Sequence, residues 1–225
     1  SFVTVSASFS AILFQPLFAA RQGVEREPVL RKGVAGLALL CGLPAVFLAV
    51  NGAQLVPLVF GDRWQPAAPA VALLAVSGLV RALGGVHGAL LSVTGRNNIL
   101  AAASTTSAVA GVVAVLVTAR HGVIWCAAGL MLKNVAVTCF LAASTRHDVP
   151  GMARAYLLDV ALPLALMALG AEAGRALATA ALPGAALMPL LAGMTTSLLM
   201  STVCGLSCFA QRVLGPAPLP AAAGR

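Results

Sequence analysis

Long apolar runs separated by short polar gaps are the feature that most constrains this chain. About seven such runs fill its 225 residues, and 60% of the residues are hydrophobic while only 9% are charged. A soluble globular domain has about 25% charged residues, and about 20 consecutive apolar residues span the hydrocarbon core of a bilayer as a helix. The sequence therefore predicts an all-α integral membrane protein, because an unpaired strand in lipid leaves its backbone polar groups unsatisfied.

Turn and helix-breaking residues, among them Pro28, Gly61, Gly95 and Gly122, mark the gaps between the runs. None of these gaps is long enough to hold a soluble catalytic domain, so we do not expect an enzyme. Transmembrane helices are predicted over residues 1–20, 33–57, 66–93, 99–119, 122–144, 155–171 and 184–209. The proline-rich and alanine-rich tail over residues 212–225 is expected to be disordered.

The basic residues predict how the helices cross the membrane. The net charge is +8, but the charges lie in ones and twos at the ends of apolar runs, which is the pattern of the positive-inside rule and not of a nucleic-acid interface. The gaps expected in the cytoplasm hold nine basic residues and the opposite gaps hold three. The first set is Arg21, Arg26, Arg31, Lys32, Arg96, Arg146, Arg154, Arg212 and Arg225, and the second is Arg63, Arg120 and Arg175. Ser1 then lies outside and the C-terminus lies in the cytoplasm.

Cysteine usage predicts neither a disulfide framework nor a metal centre. All five cysteines lie within apolar runs, where a thiol behaves as a small hydrophobic group. Their spacing does not match a zinc site, and we predict no cofactor.

Residues 55–98 carry a resemblance to a known family. They read LVPLVFGDRWQPAAPAVALLAVSGLVRALGGVHGALLSVTGRNN, a Phe-Gly-charged-Trp turn that leads through prolines into a long helix rich in small residues and ending in Gly-Arg-Asn. This stretch resembles the polysaccharide transport (O-antigen and exopolysaccharide flippase) family of the multidrug/oligosaccharidyl-lipid/polysaccharide exporter superfamily. Pro16-Leu17-Phe18 with the charged loop 21–32, and Arg120-His121-Gly122-Val123, resemble other parts of the same family.

The resemblance implies an architecture of two six-helix lobes around a cavity that opens alternately to each side of the membrane. Residues 1–144 would hold five spans of the second lobe, and residues 145–211 would form a terminal helix pair. The chain would then be the C-terminal half of a longer transporter in the bacterial inner membrane, and the missing N-terminal half would be its partner. The implied substrate is a lipid-linked oligosaccharide carried on a polyprenyl pyrophosphate.

Arg81, near the middle of the 66–93 span, is the first candidate site residue. At about 100° per residue, one face of that helix brings small and polar residues within about 60° of Arg81, namely Ser77, Gly78, Gly84, Gly85, Gly88 and Ser92. The opposite face is apolar, with Val76, Leu79, Leu83, Val86 and Leu90. Arg81 could bind the pyrophosphate, with Ser77 and Gly85 beside it, since a guanidinium matches paired phosphate oxygens. In the alternative interpretation, the glycines Gly84 and Gly88 form a packing face.

Lys133, in the middle of the 122–144 span, is the second candidate. It could supply another cation to the substrate site, or it could pair with a carboxylate outside this chain. His87 lies about 120° from Arg81 around the helix and is interpreted as a packing residue. We expect the coupling site of any ion-driven transport to lie elsewhere, because no predicted span has a carboxylate at its centre.

Three functions are compatible with this sequence. The first is a flippase that translocates a lipid-linked polysaccharide repeat unit by alternating access. The second is a drug or organic-cation exporter of the same superfamily, which a less basic cavity would favour. The third is a non-transporting membrane scaffold for polysaccharide assembly, in which Arg81 would be dispensable.

Overall fold

The structure, a computed structural model, describes residues 15–16, 18–20, 26–146, 148, 160–181, 195, 199 and 202–203. This part of the chain contains helices and turns and no strand. The α-helices are α1 (Arg26–Phe60), α2 (Ala68–Val93), α3 (Asn97–Thr118), α4 (Val123–Thr145) and α5 (Leu162–Ala181). Short 3-10 helices at Asp62–Ala67 and Ala119–His121 precede α2 and α4. The all-α prediction is therefore confirmed for the described residues.

Four helical segments in the described part of the chain are long and apolar enough to cross a membrane: Leu30–Phe60, Asp62–Val93, Asn97–His121 and Val123–Thr145. They correspond to the predicted spans 33–57, 66–93, 99–119 and 122–144. The tail 212–225 lies outside the described residues, and most of the predicted spans 1–20 and 184–209 does too. The count of seven, the division at residue 144 and the two-lobe arrangement stay predictions.

The turns between these helices contain a glycine with a positive φ angle at each of the three places where the sequence predicts a break. The angles are 89° at Gly61, 74° at Gly95 and 99° at Gly122. Only glycine adopts this region without a steric penalty, so each helix ends within a few residues of the position that the sequence predicts.

The N-terminal part of α1 differs from the prediction. Residues 21–32 are predicted to form a charged loop, but the described residues from Arg26 onward, including Arg31 and Lys32, are helical. Arginine, lysine, glutamate and leucine, which make up most of residues 26–32, are strong helix formers.

The last described helix, Leu162–Ala181, continues past the end of its predicted span, 155–171. The first residues of that span, 155–159, lie outside the described residues. The strongly apolar part of the helix, Leu162–Gly174, is shorter than the four long segments. Glu172 and Arg175 lie just after the predicted end, residue 171. Helix propensity explains the extension, since the residues that follow Arg175 are mostly alanine.

The core lies where α1 crosses α2. Val34, Leu37, Ala38, Cys41 and Ala45 recur at helical spacing along one face of α1 and are buried against α2. The residues that meet them on α2 are Leu79, Ala82, Leu83, Val86, Ala89 and Leu90. The apolar face that the sequence predicts on this helix is therefore the core face.

Helix α2 is the centre of the arrangement. It packs against α1 on one side and against α4 on the other, while α3 packs mainly against α4 and α5 packs against α1. Helices α2 and α4 run parallel to each other. The turn that follows α2 therefore meets the end of α4, and an ion pair joins the two. Arg96 Nη1 donates to Asp148 Oδ2 at 3.0 Å and to the Ser144 carbonyl oxygen at 3.1 Å.

Candidate functional site

Arg81 lies in the middle of the 26-residue helix α2, about 18 Å of helix rise from either end. Its side chain is exposed, and the small or polar residues around it, Gly78, Gly85 and Ser92, are half-buried. We call the surface formed by Arg81 and these three residues the Arg81 stripe. It lies between the faces of α2 that α1 and α4 cover, and no other described helix covers it.

Lys133 lies at the middle of α4 and is half-buried. Its ammonium donates a hydrogen bond to Ser107 Oγ at 3.2 Å, and its side chain also runs past Gly111 of α3. Helix α3 therefore approaches Lys133 at the centre of both helices. The structure places this cation in the α3–α4 interface, whereas Arg81 is on the α2 surface.

Both candidate residues are cations in the middle part of their helices. Three acidic residues, Asp62, Asp148 and Glu172, lie within the part of the chain whose side chains are described, and none forms an ion pair with Arg81 or Lys133. The mid-depth of the described bundle is therefore positively charged without a compensating carboxylate from these residues.

Ser77 is placed away from the Arg81 stripe. It is buried, and its Oγ accepts a hydrogen bond of 2.7 Å from Asn134 Nδ2 of α4. Two further polar contacts follow along the same interface. Thr138 Oγ1 donates to the Val80 carbonyl oxygen at 3.0 Å, and His87 Nδ1 lies 3.0 Å from Thr145 Oγ1.

These three contacts form a polar ladder between α2 and α4, each joining residues 57 or 58 positions apart in the sequence. Hydrogen bonds between transmembrane helices contribute about 0.6 kcal/mol each on average, so the ladder sets the register of the two helices more than it adds stability. His87 is fully buried within it, as its interpretation as a packing residue requires. The substrate-binding role of Ser77 stays a prediction.

The glycines of α2 face three different surroundings. A Cβ added to Gly84 would lie 2.9 Å from Thr138 Oγ1 of α4, whereas one added to Gly88 would lie 3.4 Å from Leu100 Cδ1 of α3. The predicted Gly84/Gly88 packing pair thus contacts two helices and not one. Gly85 follows Gly84 in the sequence but lies on the Arg81 stripe, where it is half-buried. Its predicted role in substrate binding stays a prediction.

Sequence reasoning did not single out Ser107 as the partner of Lys133. A signal for it exists, since residues 107 and 133 are equally far from residue 120 in the turn between the two predicted spans. Positions equidistant from the turn of an antiparallel helix pair lie at the same depth in the membrane. The sequence also does not single out the Arg96–Asp148 ion pair, which joins two gaps that the basic residues assign to one side.

No family model, curated protein or solved structure matches the chain. The resemblance to polysaccharide transporters, carried by residues 55–98, therefore stays a prediction.

Proposed function

We propose that this chain is part of a flippase in the bacterial inner membrane that moves a lipid-linked oligosaccharide by alternating access. The observation that carries the proposal is the exposed guanidinium of Arg81 at mid-membrane depth. Insertion of an arginine at the centre of a transmembrane helix costs at least about 2.5–3.5 kcal/mol. An anion that passes through the membrane beside Arg81 would offset this cost during transport.

The chemistry of Arg81 suits a pyrophosphate. Its planar fork donates two parallel hydrogen bonds to neighbouring phosphate oxygens, and its neighbours on the stripe, Gly78, Gly85 and Ser92, leave room for a bulky head group. Lys133, in the middle part of α4, also contributes positive potential, but its hydrogen bond to Ser107 directs it into the α3–α4 interface. The proposal therefore assigns the phosphate contact to Arg81. Two neighbouring cations repel a cationic cargo, which disfavours an organic-cation exporter.

Binding of polyprenyl pyrophosphate to the purified chain in phosphatidylcholine nanodiscs tests the assignment. We expect Arg81→Ala to raise Kd at least about tenfold, the equivalent of about 1.4 kcal/mol. Arg81→Lys should bind with intermediate affinity, because an ammonium cannot hold phosphate oxygens bidentately. Arg63→Ala, which removes an exposed arginine of the α1–α2 turn, is the matched control and should leave Kd within about twofold.

A second measurement separates a substrate role from a packing role. In cells that depend on the protein, translocated glycan is divided by the amount of protein in the membrane. If Arg81 binds substrate, Arg81→Ala lowers this ratio while abundance stays near normal. If Arg81 only supports packing, abundance falls and the ratio does not change. An unchanged ratio together with an unchanged Kd would contradict the proposal.

A further inference from the structure

An open groove of about 620 Å³ runs between α3 and α4. Among the described residues that line it, Lys133 alone carries a charge, and most of the others are alanines or larger apolar residues such as Val113 and Phe140. The groove extends along both helices from Ala102 and Phe140 to Thr118 and Gly129. It is therefore an elongated apolar surface with one cation at its middle.

Helices α3 and α4 have the least coverage of the four long segments. The buried share of the apolar window is 6% in α3 and 11% in α4, compared with 50% in α1 and 39% in α2. Ala110, Ala114 and Ala136 line the groove and carry no side chain beyond Cβ. Small residues of this kind allow the backbone of a further transmembrane helix to approach closely.

The charge of Lys133 indicates which chemistry the occupant carries. Among the described residues, the only hydrogen-bond partner of its ammonium is the neutral hydroxyl of Ser107. Charged groups inside transmembrane segments pair with one another or face a polar cavity. An anionic group in the groove would neutralise Lys133 where the surrounding wall is apolar.

The depth of Lys133 decides between a bilayer lipid and a protein helix as the source of that anion. Lys133 lies at the centre of α4, about 15 Å from either surface of a hydrocarbon core about 30 Å thick. A resident phospholipid keeps its phosphate at the surface and cannot bring it to this depth. A helix, in contrast, can carry an aspartate or glutamate at any position along its length.

We infer that the α3–α4 groove is the docking site for a transmembrane helix that carries a carboxylate at its centre, which pairs with Lys133. The inference goes beyond the proposed function, because it assigns Lys133 to a protein partner and leaves Arg81 to the transported anion. Helix association then depends on Lys133 and the groove wall, and substrate binding depends on Arg81.

Energy transfer in phosphatidylcholine vesicles tests the inference. The protein carries an acceptor dye at Cys139, an exposed residue of α4, with the other four cysteines replaced. The probe is a donor-labelled leucine/alanine transmembrane peptide with a single central aspartate, and the same peptide with a central leucine is its control. We expect the aspartate peptide to associate at least about fivefold more strongly than the leucine peptide, and Lys133→Met to remove this difference.

Two pairs of variants locate the contact. Arg81→Met should leave the preference for aspartate unchanged, and Lys133→Glu should transfer the preference to a peptide with a central lysine. Ala136→Phe fills the groove while keeping Lys133 and should abolish binding. Ala143→Phe, on an exposed part of α4 that does not line the groove, is its matched control and should have no effect.

Several results would overturn the inference. One is equal association of the aspartate and leucine peptides, and another is a preference for aspartate that survives Lys133→Met. If Arg81→Met removes that preference and Lys133→Met does not, the aspartate pairs with Arg81 on the Arg81 stripe. Two labelled copies of the protein could also show energy transfer to each other. If Ala136→Phe abolishes that transfer, a second copy fills the groove. None of these experiments measures transport, so a failure of this inference can be distinguished from a failure of the proposed function.

Discussion

At the scale of single residues, small side chains in α2 allow close contacts with different neighbours. Gly84 permits the approach of Thr138, whose hydroxyl is held by its hydrogen bond to the Val80 carbonyl oxygen. Gly88 faces the end of the flexible Leu100 side chain, where an added methyl group meets a looser contact. The same residue type therefore has different importance at two positions one helical turn apart.

We predict that Gly84→Ala destabilises the protein by about 1–3 kcal/mol, the usual effect of adding a carbon atom to a tightly packed site. The reason is that the new Cβ would displace Thr138 and separate α2 from α4. Gly88→Ala is the matched control, and its effect should be smaller, since the Leu100 side chain can move aside. The free energy of unfolding in detergent micelles measures both. Equal losses would contradict the described contacts of Gly84.

At the scale of elements, aromatic residues mark one end of the helix arrangement. The chain has two tryptophans, and both are exposed at helix beginnings, Trp64 just before α2 and Trp125 in the first turn of α4. Trp64 contacts the Phe60 ring and Trp125 contacts the His121 ring, each at a centroid distance of 6.3 Å. Because α2 and α4 run parallel, both tryptophans lie at the same end. Tryptophan is enriched at the interface between hydrocarbon and water.

We predict that Trp64 and Trp125 both lie at this interface. Their fluorescence, measured in variants that each keep one tryptophan, should be quenched more by lipids brominated near the head group than by lipids brominated near the chain end. The control is Leu132→Trp in a tryptophan-free background, since Leu132 is exposed at the middle of α4 and should show the reverse. Stronger quenching of either native tryptophan from the chain end would place that turn inside the hydrocarbon.

At the scale of the whole molecule, two groups of turns lie at opposite ends of the described helices. One end has the Arg96–Asp148 ion pair and the positively charged beginning of α1. The other end has the turns with Arg63 and Arg120 and both tryptophans. The alternation of the four long helices places Arg96 and Arg146 together, as the distribution of basic residues predicts. Which end faces the cytoplasm stays a prediction from the positive-inside rule.

We predict that the Arg96 end faces the cytoplasm. In a background without the native cysteines, Arg96→Cys and Arg146→Cys should be protected from an impermeant thiol reagent added to intact cells. Asp62→Cys, in the turn at the opposite end, should be labelled. Permeabilised cells should label all three, which controls for accessibility. Labelling of Arg96→Cys and protection of Asp62→Cys in intact cells would reverse the orientation.

The sequence by itself determined the local features of the fold. Apolar runs of membrane-spanning length predict the four long helices, and Gly61, Gly95 and Gly122 predict the turns between them. The periodicity of residues around Arg81 separates the core face of α2 from its small-residue face. These features depend on the composition of one segment at a time, since helix length, turn geometry and the identity of the apolar face are local properties.

Only the tertiary structure decided which residues contact each other. It directs Lys133 to Ser107, buries Ser77 against Asn134, and assigns Gly84 and Gly88 to different helices. Periodicity gives the direction in which a side chain points from its own helix, but not the helix that lies there. Those contacts depend on how α2, α3 and α4 pack together, and packing combines the shapes and polar groups of segments distant in sequence. The helical residues 26–32 of α1 also lie outside the apolar run that predicts its span. A charged segment with strong helix propensity continues the helix past the hydrocarbon core.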